Sequence, residues 1–166
     1  KRVPPRLHSH APNVMRQANS PVHKIACRYP PGIGSFSTIK EGGSIFVMDD
    51  FSPEKILSAI QKYNITTLFL PPTAIYMLLD FEDVRSYDYG SLRYFWYAAA
   101  PMSIDKLKEA ISIFGPVMVQ TYGQAEAPMI CTFFSAEDHT KALNKNDLSI
   151  LGSCGKASPD IEIAVL

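Results

Sequence analysis

The stretch from Arg93 to Thr121, RYFWYAAAPMSIDKLKEAISIFGPVMVQT, decides the fold class. Arg93–Tyr97 is a short aromatic run of the kind that favours a strand. Ser103 stands where a helix N-cap belongs, and Ile104, Leu107, Ile111 and Phe114 follow three and four apart, giving one apolar helical face. Gly115-Pro116 stops that helix and Val117–Thr121 resumes as a strand. Strand, helix and strand in immediate succession is the unit of a parallel sheet.

The same alternation extends upstream. Ser44–Met48 (SIFVM) has no polar alternation and reads as a strand buried on both faces. Ser52-Pro53-Glu54 supplies an N-cap, a first-turn proline and an acid at the positive helix end. Ile56, Leu57, Ile60 and Tyr63 then predict a helix near 53–63. Ile65–Leu70 reads as a second buried strand, Pro71-Pro72 ends it, and Thr73–Asp80 reads as a short helix. Downstream, Ser135 to Ser149 is polar and reads as a surface connection, with a further strand at Ile161–Val165. The expected fold is α/β, a mostly parallel sheet with helices on both faces.

The 166 residues are one domain's worth of chain, and 46% hydrophobic with 19% charged residues excludes a disordered tail or a fibrous repeat. No apolar run approaches the ~20 residues of a membrane span, and no charged-then-apolar leader is visible. Cys27, Cys131 and Cys154 are widely spaced, which argues against a disulfide framework or a structural zinc and for a reducing cytoplasm. The net charge of zero hides a division. Residues 1–31 carry Lys1, Arg2, Arg6, Arg16, Lys24 and Arg28, six prolines and no acid, leaving ten basic against sixteen acidic residues in 32–166. A basic arm for nucleic acid or an anionic membrane is one reading; a poorly structured edge without function is the one expected, with the domain running over 32–166. Limited proteolysis is expected to leave a species beginning near Gly32. The chain starts without methionine and stops on Ile163-Ala164-Val165-Leu166, and we read it as an internal piece of a longer protein.

In parallel sheets ligands gather at the carboxyl ends of the strands. Two loops expected there are unusual. Ala98-Ala99-Ala100-Pro101 lets backbone approach a flat ligand, although tight helix–strand packing explains small residues equally well. Tyr122-Gly123-Gln124-Ala125-Glu126 offers an aromatic face for stacking and a carboxylate that is either a hard-cation ligand or a solvated charge. Together they describe an adenine pocket with a metal ligand beside it.

On these residues the sequence resembles the adenylate-forming (AMP-binding) enzymes, specifically acyl-CoA synthetases of the fatty-acid–CoA ligase type. Gln120–Met129, QTYGQAEAPM, looks like their Tyr-Gly-x-Thr-Glu signature, and Tyr97–Met102, YAAAPM, is similar to their Gly-Gly-Ala-Pro-Leu element. Gly152-Ser153-Cys154-Gly155-Lys156 with Pro159-Asp160-Ile161-Glu162-Ile163 resembles their Gly-Ser-x-Gly-x-Pro-x-Pro-x-x-Glu stretch, and Gly42-Gly43 with Phe51-Ser52-Pro53-Glu54 also fits. The resemblance covers about Gly32 to Leu166 and implies the large N-terminal domain of such an enzyme.

The chemistry it implies is attack of a carboxylate on the α-phosphate of ATP, giving an acyl-adenylate and pyrophosphate, and then displacement of AMP by the thiol of coenzyme A. Glu126 would hold Mg²⁺ and serve as the catalytic position, and Tyr122 would lie on the adenine. Ala99, Ala100 and Pro101 would line the base and acyl pocket. Thr121, Gly123 and Gln124 would wall nucleotide from acyl group, with Ala125 standing where the family has a phosphate-contacting threonine. Losing that hydrogen bond costs ~1.5–3 kcal/mol. Lys156-Ala157 and Asp160 also depart from the pattern. The Ser/Thr/Gly-rich phosphate loop is absent, since Leu7-His8-Ser9-His10 resembles only the residues just C-terminal to that loop in the family. The ribose-binding aspartate and C-terminal lysine would lie beyond Leu166. The expected partners are a small carboxylic acid, ATP and CoA, with no nucleic acid. An adenylation domain loading an amino or aryl acid on a carrier protein, or a non-catalytic nucleotide-binding remnant, are the alternatives.

Overall fold

The computed structural model describes residues 24–27, 38–40, 42–48, 51–124, 126, 130–159 and 161–164. Among the described residues seven strands form one sheet: β1 (Lys24–Cys27), β2 (Ser44–Val47), β3 (Thr67–Phe69), β4 (Tyr94–Tyr97), β5 (Met118–Tyr122), β6 (Thr132–Phe134) and β7 (Lys156–Ala157). Their spatial order is β2-β1-β3-β4-β5-β6-β7. Pairing from β2 through β5 is parallel, and β6 and β7 add on antiparallel. The mostly parallel α/β sheet is therefore the expected one.

From β2 to β5 the parallel strands are connected in turn by α1 (Pro53–Tyr63), α2 (Pro72–Leu79) and α3 (Ile104–Phe114). The Ser52 side chain accepts from the Lys55 N–H, and Ile56, Leu57 and Ile60 are buried, as the sequence signals demanded. Ser103 occupies the N-cap of α3 without making a side-chain cap bond. Its backbone N–H donates instead to the Tyr76 hydroxyl of α2 at 2.7 Å. Gly115 ends α3 at φ 87°, a conformation that suits glycine.

Cross-strand register puts Leu68, Phe95 and Met118 in one row on a single face. Phe114 of α3 meets Phe95 edge-on at 5.1 Å, and Tyr63 of α1 lies 4.6 Å from Phe46 of β2. The main core lies between this face and α1–α3 and includes Leu57, Ile60, Ile65, Ile75, Leu78 and Leu107.

Four expectations change. Lys24–Cys27, inside the stretch read as an edge, forms β1 between β2 and β3; residues 1–23 and 28–31 lie outside the described residues. Ser44–Val47 is not buried on both faces, for β2 pairs only with β1 among the described residues and Val47 is 68% exposed. Residues 135–149 are not a plain connection. Ser135 opens α4 (Ala136–Asn144) with a full capping box, its hydroxyl accepting from the Asp138 N–H, and α5 (Leu148–Leu151) comes next. Residues 161–164 form no strand, because the Ile161 N–H turns back to the Ser158 carbonyl at 3.0 Å and no neighbouring strand pairs with them among the described residues.

Candidate functional site

Strands β4 and β5 are parallel neighbours with Tyr97 opposite Gln120, so the loops after them leave from the same end of the sheet. The first loop is Ala98 to Met102. The second joins β5 to β6, and its base is closed by the Cys131 N–H donating to the Tyr122 carbonyl at 2.7 Å. Ala99, Ala100, Pro101, Gly123, Gln124 and Glu126 are all exposed here. Tyr122 is 46% exposed and Thr121 is buried, opposite Phe133. Ala125 and Ala127–Met129 lie outside the described residues. The two loops are thus brought to the crevice where parallel sheets bind ligands. An aromatic ring half open at a strand end can receive a base on its face.

The Ala98–Pro101 loop is more than a run of small side chains. Ala99 has φ 75°, the left-handed region, which costs a residue with a Cβ about 1–2 kcal/mol. The loop is tied at both ends. At its far end the Ser103 N–H is held by the Tyr76 hydroxyl. At its near end Tyr97, 1% exposed, places its hydroxyl 2.8 Å from Nε2 of His139 on α4. His139 is equally buried, and its Nδ1 lies 2.7 Å from the Ser135 carbonyl.

A carbonyl can only accept, so Nδ1 carries the proton and Nε2 accepts from Tyr97. The same hydroxyl lies 3.2 Å from the Gln120 side-chain oxygen, a second and longer acceptor for its proton. Burial holds the His139 imidazole below its ordinary value of 6.5, against the opposing effects of the Ser135 carbonyl and Asp138, which keeps it neutral. Burial, and after it the Tyr76 hydroxyl, pushes the Tyr97 phenol well above 10.0. Sequence reasoning missed this chain of contacts. The Ser135-x-x-Asp138 box was the legible signal, and His139 comes directly after it.

Glu126 is an exposed carboxylate, and among the described residues no group of three or more His, Cys, Asp or Glu could hold a metal. A lone accessible carboxylate fits Mg²⁺, which usually takes one or two protein carboxylates and fills its octahedron with water and substrate phosphates.

A family model described as AMP-binding enzyme matches residues 24–166. The medium/long-chain-fatty-acid–CoA ligase FadD8 of Mycobacterium tuberculosis is 36% identical over 129 residues, 78% of this chain and 21% of that protein. The human mitochondrial acyl-coenzyme A synthetase ACSM4 is 35% identical over 102 residues, 60% of this chain and 17% of that one. The amide bond synthetase McbA from Marinactinospora thermotolerans superimposes with a TM-score of 0.72 at 25% identity, covering 89% of this chain and 29% of that one. The chain spans about a fifth of the length of these curated relatives.

Proposed function

Because this chain belongs to the AMP-binding enzyme family, we propose that it is the nucleotide-loop segment of an acid–thiol ligase that makes acyl-CoA from a carboxylic acid, ATP and CoA. The observation that carries the reading is the convergence of Ala98–Pro101 and Tyr122–Glu126 at the carboxyl ends of two adjacent parallel strands. The identity with fatty-acid–CoA ligases and acyl-CoA synthetases supports the thiol as acceptor.

The physical difficulty is bringing a carboxylate anion to a polyanionic phosphate, so the site must supply alignment and positive charge more than proton transfer. The exposed Tyr122 ring stacks on the adenine, and Ala99, Ala100 and Pro101 leave the base room to lie against backbone. Thr121, Gly123 and Gln124 separate base from acyl group. Ala125 contributes no hydroxyl to the phosphates. Glu126 would hold Mg²⁺, which supplies the charge that screens the phosphates. We take the domain to include Lys24–Cys27 as well as the stretch from Gly32 onward, a reading supported by the pairing of β1 on both sides. We place the protein in the cytoplasm on its cysteine usage, Cys154 being a free surface thiol. Among the described residues no helix is long and apolar enough to cross a membrane.

Acid-dependent exchange of pyrophosphate into ATP by the full-length protein, with a panel of fatty and aromatic acids, tests the adenylation. Release of AMP on adding CoA tests the acceptor. Exchange without CoA-dependent product would move the reading to an adenylate passed to another acceptor, which the likeness to an amide bond synthetase also supports.

A further inference from the structure

Tyr97, Gln120 and Phe134 stand opposite one another across β4, β5 and β6, so their side chains line one row on one face of the sheet. His139 lies over that row, its ring 4.0 Å from Phe134 and 5.9 Å from Tyr97. The row sits one residue before the Ala98–Pro101 loop on β4 and two before Tyr122 on β5. Among the described residues no buried side-chain polar atom lacks a partner, so each contact in the row is satisfied by the next. Removing one member therefore strands the others in a place water does not reach. Meanwhile Ala99, two residues after Tyr97, holds a backbone angle that alanine disfavours. Something outside the loop has to keep it there.

We propose that Tyr97 and His139 are positioning residues for nucleotide binding: the hydroxyl-to-imidazole bond anchors the end of β4 to α4 and thereby holds Ala99 in its left-handed turn. This rests on the assignment of Ala98–Pro101 as a nucleotide loop. His139 touches no substrate; it acts through Tyr97, and Ser135 fixes the imidazole tautomer that accepts the bond. The Tyr76 hydroxyl secures the other end of the loop. Between these two ties, the turn at Ala99 is free to relax only if one of them is cut.

The test uses the full-length protein with AMP as the probe. Tyr97→Phe keeps the ring and deletes the hydroxyl; His139→Leu deletes the imidazole acceptor without offering another and serves where the first variant fails to fold. Either is expected to weaken AMP binding by calorimetry, and to raise the KM for ATP in pyrophosphate exchange, by about ten-fold. The change in kcat is expected to be smaller. Adding Ala99→Gly should return most of the lost affinity, because glycine takes φ 75° unassisted. A purely packing role for Tyr97 and His139 gives no such rescue. AMP binding unchanged in both variants, or lost in a way that glycine does not repair, overturns the inference while leaving the nucleotide loop standing. Absence of AMP binding in the unaltered protein overturns the loop assignment and this inference with it.

Discussion

Replacing Glu126 with glutamine keeps the length of the side chain and removes only its charge, which is what a divalent cation requires. Since Glu126 is exposed, the fold should not respond. In the full-length protein Glu126→Gln is expected to lower acid-dependent pyrophosphate exchange by about 10²-fold or more, with the melting temperature unchanged. Retention of most of the rate would show a surface charge. His139 gives the second residue-scale expectation. Its folded-state value lies below 6.5, so between that depressed value and 6.5 the unfolded chain binds the extra proton. Stability from this group is present above 6.5 and is lost as pH falls toward the folded value. The groups facing it are the Tyr97 hydroxyl from β4, the Phe134 ring from β6, and the Ser135 carbonyl and Asp138 beside it, with Lys156 of β7 reaching Asp138 at 3.5 Å. Asp138 titrates below its ordinary 3.8 and Tyr97 above 10.0, both outside this window. Urea unfolding at pH 7.5 and 5 should therefore show a loss on acidification that is smaller in His139→Gln.

At the scale of single elements, local signals were sufficient where the helix carries its own stops and starts. Helix α1 begins at Pro53 and ends at Tyr63 as Ser52-Pro53-Glu54 and the apolar spacing require. Helix α4 escaped because its buried positions are His139 and Ala142, too polar and too small to register as a core face. Its capping box was nevertheless written in the chain, and Ser135→Ala is expected to cost about 1 kcal/mol in denaturant unfolding. Strand β1 escaped for another reason. Four residues amid prolines have no period of their own, and their pairing comes from Ser44–Val47 on one side and from Thr67 and Leu68 on the other. Gly155 shows the reverse case, a residue singled out in a motif whose reason only the packing reveals. It sits at φ 93°, and an added Cβ would come 2.3 Å from the Phe133 carbonyl oxygen. Gly155→Ala should destabilise the β6–β7 region by about 2–4 kcal/mol, read as a lower urea midpoint.

For the molecule as a whole, the positions of the two loops proposed to hold nucleotide were legible, because buried strands predict where a parallel sheet ends and its loops collect. The turn at Ala99 and the contacts beneath it were not, since they depend on residues 42 positions apart meeting across three strands. The purified 166-residue chain is expected to convert no ATP to AMP in response to acids, for it lacks the Ser/Thr/Gly-rich phosphate loop that the family resemblance calls for; acid-dependent AMP formation would contradict this. The spatial order of the strands carries a kinetic consequence. Among the described strands β1 precedes the others in the chain, β2 pairs along one of its edges and β3 along the other, and β4 to β7 each add to the described strand before it. None of the described strands has to be inserted between two that are already joined, so this part of the sheet can grow in the direction of translation, edge by open edge. Lys24–Cys27 is the joint of that growth: among the described residues it alone links β2 to β3, so a chain without it leaves β2 with no described neighbour to pair with.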